Sequence, residues 1–219
     1  MDFLKPRKDG LTRAKICGLK CLTDFEVCQK HGADAVGLNF WPSSKRYLSE
    51  ESIRPWLTQL PDELTRIGVF VNAATDDIHR LLDDGIIHIA QLHGDESPEQ
   101  CDSLRRHGHL VLKAIGVRDE ASLRDLSKFE VDGIVLDAFC PGEYGGSGKT
   151  FNWELALAAK EILAETPLIL SGGLVTDNVA QAIAKVRPLA VDVASGVESA
   201  PGMKCPQKIA TFLQAVRSA

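Results

Sequence analysis

The sequence predicts an α/β chain folded as one (β/α)8 barrel, and three observations carry that prediction. Short apolar runs rich in Val, Ile, Leu and Ala recur along all 219 residues. Helical stretches with legible start signals lie between them. No linker or shift in composition marks a second domain. The runs are near-continuous rather than alternating, as expected of parallel strands covered by helices. Their starts fall roughly 20 to 34 residues apart, and eight βα units averaging about 27 residues use almost the whole chain. A doubly wound sheet would instead expect GxGxxG after an early strand and an acidic residue ~20 positions on. The CGLK that ends the first run does not supply it. The barrel is assigned to residues 14–219, with 1–13 as an N-terminal extension, either a frayed tail or part of an interface.

The elements follow in order. AKICGL (14–19) is the first strand, and Thr23 with Glu26 fits a capping box for the helix behind it. AVGLNF (35–40) is the second. In EESIRPWLTQL, which follows, Pro55 starts, kinks or splits the helix, since proline lacks the N–H and clashes with the preceding turn. RIGVFVN (66–72) and IIHIAQLHG (86–94) are the third and fourth strands. Ser97-Pro98-Glu99-Gln100 combines an N-cap, a proline at the first helical position and a capping box. LVLKAIGV (110–117) and GIVLDA (133–138) come next, and the Gly- and Pro-rich FCPGEYGGSGKTFNW after them reads as a lid or substrate-gating loop. PLILSGG (167–173) is the seventh strand, with Thr176 as a cap for DNVAQAIAKV. AVDVASGVE (190–198) is the eighth, and PQKIATFLQAVRSA closes the series as an amphipathic helix.

Composition narrows the function. With 25 Lys+Arg against 30 Asp+Glu the net charge is −5, which argues against nucleic acid or an anionic membrane as the main partner. No apolar run approaches the ~20 residues of a spanning helix, and the charged MDFLKPRKDGLTRAK has no signal-peptide core. The six cysteines lack CxxC pairing, so they read as reduced thiols of a cytoplasmic protein rather than metal ligands. No metal is expected.

In a barrel of this type, chemistry belongs at the C-terminal ends of the strands. Cys17, Asn39, Gln91, His93 and Asp137 fall there, with Ser171-Gly172-Gly173 and Ser195-Gly196 ending the last two strands. Period-two alternation puts Lys15 with Cys17, and Gln91 with His93, on one face. The two glycine-bearing turns are either tight βα turns or, being adjacent, a phosphate site made of Gly172, Gly173, Ser195 and Gly196. The ligand expected is a phosphorylated small molecule. Cys17 and Asp137 are either structural or an acid–base pair across the mouth, with the thiol pKa lowered by a helix N-terminus. Arg46 is either surface charge or a fork for a carboxylate. His93 is either a catalytic histidine or a neutral one hydrogen-bonded to Gln91 or to backbone, and Gln91 and His93 are expected among the substrate-binding residues. The oligomeric state stays open between monomer and homodimer.

KICG (15–18), GLNFWPSSKRYLS (37–49), GVFVN (68–72), QLHG (91–94), LDAFCPGEYGGSGKTFNW (136–153), LSGGL (170–174) and VDVASGVESAPGMK (191–204) occur in that order. In these segments the sequence resembles the phosphoribosylanthranilate isomerases of tryptophan biosynthesis. The resemblance implies a cofactor-free Amadori rearrangement of N-(5′-phosphoribosyl)anthranilate to 1-(2-carboxyphenylamino)-1-deoxyribulose 5-phosphate. It further implies Cys17 as general base, Asp137 as general acid, Arg46 on the anthranilate carboxylate and the two glycine turns on the phosphate. Asn152 stands where the family often has Asp, and Cys205 where an acid is common; neither touches the implied acid or base.

Overall fold

Eight parallel strands close into a barrel in the computed structural model, which describes residues 3–60, 64–139, 145–146 and 150–219. They are β1 Arg13–Cys17, β2 Ala35–Asn39, β3 Thr65–Phe70, β4 Ile89–Leu92, β5 Leu110–Val117, β6 Gly133–Ala138, β7 Leu168–Leu170 and β8 Ala190–Val193. Every residue of β2, β3, β4, β6 and β8 is buried, which is why their runs read as continuous rather than alternating. β1 pairs with β8, Lys15 opposite Asp192, and this closes the ring.

The outer layer consists of α1 Leu22–Lys30, α2 Glu50–Ile53, α3 Thr75–Asp83, α4 Pro98–Arg106, α5 Trp153–Leu163, α6 Thr176–Val186 and α7 Pro206–Arg217. The Ser97 capping box is present, with Gln100 N–H donating to Ser97 Oγ at 3.4 Å and Ser97 N–H to Gln100 Oε1 at 3.0 Å. Pro55 splits its helix: α2 ends at Ile53 and the chain continues as a 3₁₀ turn, Arg54–Gln59. In α7 the apolar positions Ile209, Phe212, Leu213 and Val216 are buried, at helical spacing.

Three expectations are corrected. Thr23 is not a cap, because α1 begins at Leu22 behind an extended Cys21 that makes no side-chain cap. Thr176 is the first residue of α6 rather than its cap. Asn178 serves that end instead, accepting from Val175 N–H at 2.9 Å and donating to Gly173 O at 3.1 Å. The strict alternation fails after β5. There the described chain forms two 3₁₀ turns, Glu120–Leu123 and Leu126–Lys128, and Asp119 caps the first by accepting from Ser122 N–H at 3.1 Å.

Residues 3–13, the described part of the extension, pack against the barrel rather than fray from it. Phe3 is only 1% exposed and joins one buried cluster on the barrel floor with Ala35, Ile67, Ile89, Leu112, Val135 and Ile169. Arg7 and Arg13 both reach Asp34, at 3.0 and 2.9 Å, and Arg13 Nε donates to Lys5 O at 2.8 Å, so charge pairing pins the segment as it crosses the floor.

Candidate active site

Strand alternation builds the opposite end of the barrel. Two residues beyond the floor, the same strands present Val69, Gln91, Asp137 and Asp192, and this mouth opens into a cavity of about 800 Å³. Cys17, Arg46, Gln91, His93, Asp137, Gly172, Gly173 and Ser195 all line it. Gly196 does not. A Cβ at Gly196 would sit 2.0 Å from Leu174 O, so this glycine lets the turn after β8 pack against the turn after β7.

Asp137 is 4% exposed, and its Oδ1 accepts from Ala138 N–H at 2.8 Å. Its Oδ2 lies 3.3 Å from His93 Nε2, while His93 Nδ1 is 2.9 Å from Gln91 Nε2. The Gln91 amide donating to Nδ1 leaves Nε2 as the protonated ring nitrogen beside the carboxylate. Glycines crowd this pair. A Cβ at Gly172 would come within 2.6 Å of Ala138 N and 3.2 Å of Asp137 Oδ1, and one at Gly145 within 2.9 Å of both Asp137 Oδ2 and His93 Nε2. Both glycines have positive φ, +83° and +77°, so larger residues there are excluded by conformation as well as by space. The lid expected after β6 falls largely on residues 140–144 and 147–149, outside the described residues.

Cys17 is half-buried beside Gly37 at the end of β1. Burial pushes its thiol pKa up, and this outweighs the downward pull of Lys15, Lys204 and Arg46. The expected lowering by a helix N-terminus is therefore reversed in the free protein, because desolvation disfavours the thiolate. Beneath Cys17, Lys15 is fully buried and its Nζ donates to Asp192 Oδ2 at 2.7 Å. Burial works against charge on Lys15, but Asp192 overrides it and holds the lysine pKa above its ordinary value. Among the described residues, Asp192 Oδ1 and Gln91 Oε1 are buried acceptors without a hydrogen-bond partner. Each such orphan costs about 1–3 kcal/mol unless a ligand donor meets it, and both residues line the cavity.

Arg46 lies at the rim, but its fork is already engaged. Nε donates to Glu198 Oε1 at 2.7 Å and Nη2 to Glu198 Oε2 at 2.9 Å. Among the described residues no group of three or more His, Cys, Asp or Glu is placed to hold a metal ion.

The family model for N-(5′-phosphoribosyl)anthranilate isomerase matches residues 14–215. The chain belongs to that family. An N-(5′-phosphoribosyl)anthranilate isomerase from Citrifermentans bemidjiense is 43% identical over 199 residues, covering 91% of this chain and 94% of that one. Among solved structures, monomers of the dimeric phosphoribosylanthranilate isomerase from Thermotoga maritima superpose with a TM-score of 0.84 at 38% identity, over 95% of this chain and 100% of that one. A phosphoribosylanthranilate isomerase in complex with reduced 1-(o-carboxyphenylamino)-1-deoxyribulose 5-phosphate gives 0.83 at 37%, with the same coverage. In this phosphoribosylanthranilate isomerase family member, sequence reasoning passed over Asp192, Glu198 and Lys204. Asp192 had a signal, being a lone acid between valines in AVDV that alternation turns inward with Cys17 and Asp137. Glu198 had none, since its partner Arg46 is 152 positions away.

Proposed function

We propose that the cavity carries out the isomerisation of N-(5′-phosphoribosyl)anthranilate with Asp137 as acid and Cys17 as base. Asp137 in its carboxylic acid form donates its proton to the furanose ring oxygen as the C1′–oxygen bond breaks and is left as the carboxylate beside His93, while the anilino nitrogen lone pair forms the iminium. Cys17 then takes the C2′ proton, the C–H electrons neutralise the iminium, and the resulting enolamine tautomerises to the 2′-ketone. No external electron acceptor enters this scheme, since C1′ is reduced as C2′ is oxidised.

The observation that carries the reading is the placement of Cys17 and Asp137 on the wall of one cavity, on strands that only barrel closure brings together. The surroundings suit each role. Cys17 acts as base from its thiolate form, which Lys15, Lys204 and Arg46 favour against the opposing effect of burial by setting a positive field around the sulfur. The backbone of Gly172 and Gly173, both at positive φ, and Ser195 suit the phosphate. Gln91 Oε1 and Asp192 Oδ1 are acceptors for sugar hydroxyls. Arg46 suits the aryl carboxylate. The relative in complex with the reduced ketose product carries these same three chemistries in one ligand: a carboxylate, a polyol chain and a phosphate. We assign the enzyme to the cytoplasm on its membership of a family of small-molecule biosynthetic enzymes; separately, among the described residues no helix is long and apolar enough to cross a membrane.

The test is a fluorescence assay following consumption of phosphoribosylanthranilate by the wild type and by Cys17→Ala. Turnover should fall by on the order of 10²–10⁴-fold, the usual worth of a positioned acid or base, while inorganic phosphate still binds. Near-normal turnover in the variant removes Cys17 from the mechanism.

A further inference from the structure

We infer that Glu198 is a positioning residue for substrate recognition, holding Arg46 by one edge of its guanidinium so that the opposite edge meets the ligand carboxylate. The inference rests on the reading of Arg46 given above. It follows from how completely the Glu198 carboxylate is used. Only 4% exposed, it accepts from Arg46 Nε at 2.7 Å and Nη2 at 2.9 Å, from Lys204 Nζ at 2.9 Å and from Gly202 N–H at 3.2 Å. Burial works to raise its pKa, yet the hydrogen bonds from Arg46 and Lys204 hold it below the ordinary range, so it stays an anion.

Arg46 is confined from three sides. The Nε–Nη2 edge lies on Glu198. Its stem crosses Gly18, where an added Cβ would meet Cδ at 2.4 Å, and Nη1 lies over Gly146, where an added Cβ would come within 2.2 Å. What remains for a ligand is Nη1 and the second hydrogen of Nη2, an end-on fork that still offers two parallel donors to one carboxylate. A lone arginine at the rim would have to freeze several rotatable bonds on each encounter; Glu198 has frozen them beforehand.

Glu198 also joins the two ends of the ligand site. It directly follows the 3₁₀ turn Ser195–Val197, and Lys204, its other partner, donates to Ala194 O at 2.9 Å just ahead of that turn. The element that suits the phosphate and the residue that aims the carboxylate fork are thus one short piece of backbone, closed by the β9 Glu198–Ala200 and β10 Met203–Lys204 hairpin.

The experiment compares two ligands on Glu198→Gln, Glu198→Asp, Arg46→Ala and the Glu198→Gln/Arg46→Ala double variant. One ligand is reduced 1-(o-carboxyphenylamino)-1-deoxyribulose 5-phosphate; the other is its analogue without the carboxyl group. Glu198→Gln should weaken the carboxylated ligand by roughly tenfold or more, the scale of one charge-assisted hydrogen bond, and leave the other within about twofold. The substrate KM should rise with kcat little changed, and Glu198→Gln should add nothing once Arg46 is Ala. Equal weakening of both ligands would make Glu198 a structural residue only and overturn the inference, as would unchanged binding of both. If Glu198→Gln does not fold, Glu198→Asp, which keeps the negative charge but draws it back by one methylene from Arg46, must show the same selective loss. If Arg46→Ala itself leaves the carboxylated ligand bound as in the wild type, the Arg46 reading falls. If Arg46→Ala weakens it and the Glu198 variants do not, only the present inference falls.

Discussion

The floor and the mouth of this barrel are consecutive layers of the same strands. Ala35, Ile67, Ile89, Val135 and Ala190 share one buried cluster with Phe3 on the floor; two positions further along their strands, Val69, Gln91, Asp137 and Asp192 face the cavity. Below, apolar side chains fill the space and Phe3 closes it from outside the repeating units. Above, a buried Lys15–Asp192 pair, two acceptors without partners and a cluster of positive-φ glycines are kept together. Each of these features costs stability in an empty site. The contrast teaches that hydrophobic closure is concentrated at one end so that unfavourable chemistry can be held at the other, and it makes the two ends separable by mutation.

The largest expected effect is at the mouth. Asp137→Asn keeps the volume and the Ala138 contact but removes the transferable proton, so turnover should fall by on the order of 10²–10⁴-fold. The melting temperature should move by only a few degrees. A turnover loss matched by a large drop in melting temperature would mean that the mouth, too, is needed for folding, and the separation would fail.

The floor should behave in the opposite way. Phe3→Ala leaves a hole among Ile67, Ile89, Leu112 and Ile169 and should destabilise the barrel by about 3 kcal/mol or more, read from urea unfolding. The kcat of the folded fraction should stay near that of the wild type. A wild-type urea midpoint would show that the barrel closes without Phe3. A lost kcat would show that the two ends are coupled.

This division was unevenly legible in the sequence. Alternation alone placed Cys17, Gln91, His93 and Asp137 at the mouth, because a two-residue period in a parallel strand leaves little freedom. Phe3 gave no warning: a single aromatic in a charged segment carries no period, and its contacts come from strands spread over the whole chain. Arg46 was visible as a cation, but its engagement with Glu198 depends on a tertiary contact that no local spacing encodes. The sign of the Cys17 shift was misread because the helix-terminus effect is local and legible, whereas burial is set by the closed barrel. The fifth crossover was misread for a related reason. Its 3₁₀ turns follow from the Asp119 cap and the packing of Leu123 and Leu126, not from helical periodicity.

The smallest effect uses cysteine as one probe of two environments. Cys17 sits at the cavity among cations, whereas Cys28 and Cys101 are fully buried in the outer layer. Burial pushes Cys28 up to about 12 and Cys101 up to about 11. In the unfolded chain both would titrate near the ordinary thiol value of about 8.5–9. Below that pH both states hold the proton, so the thiols add no slope to stability. Above it the unfolded chain loses protons that the folded chain keeps, and stability must fall as pH rises, until the folded thiols ionise in turn. Each thiol contributes a slope of up to about 1.4 kcal/mol per pH unit in that window. Urea midpoints measured from about pH 8 to about 10.5 should therefore decline, and less steeply in a Cys28→Ala/Cys101→Ala variant, although that variant starts lower because of the cavities it creates. Equal slopes would show that the outer layer opens to solvent before it unfolds; only the inner barrel would then count as the rigid frame that holds Cys17 opposite Asp137.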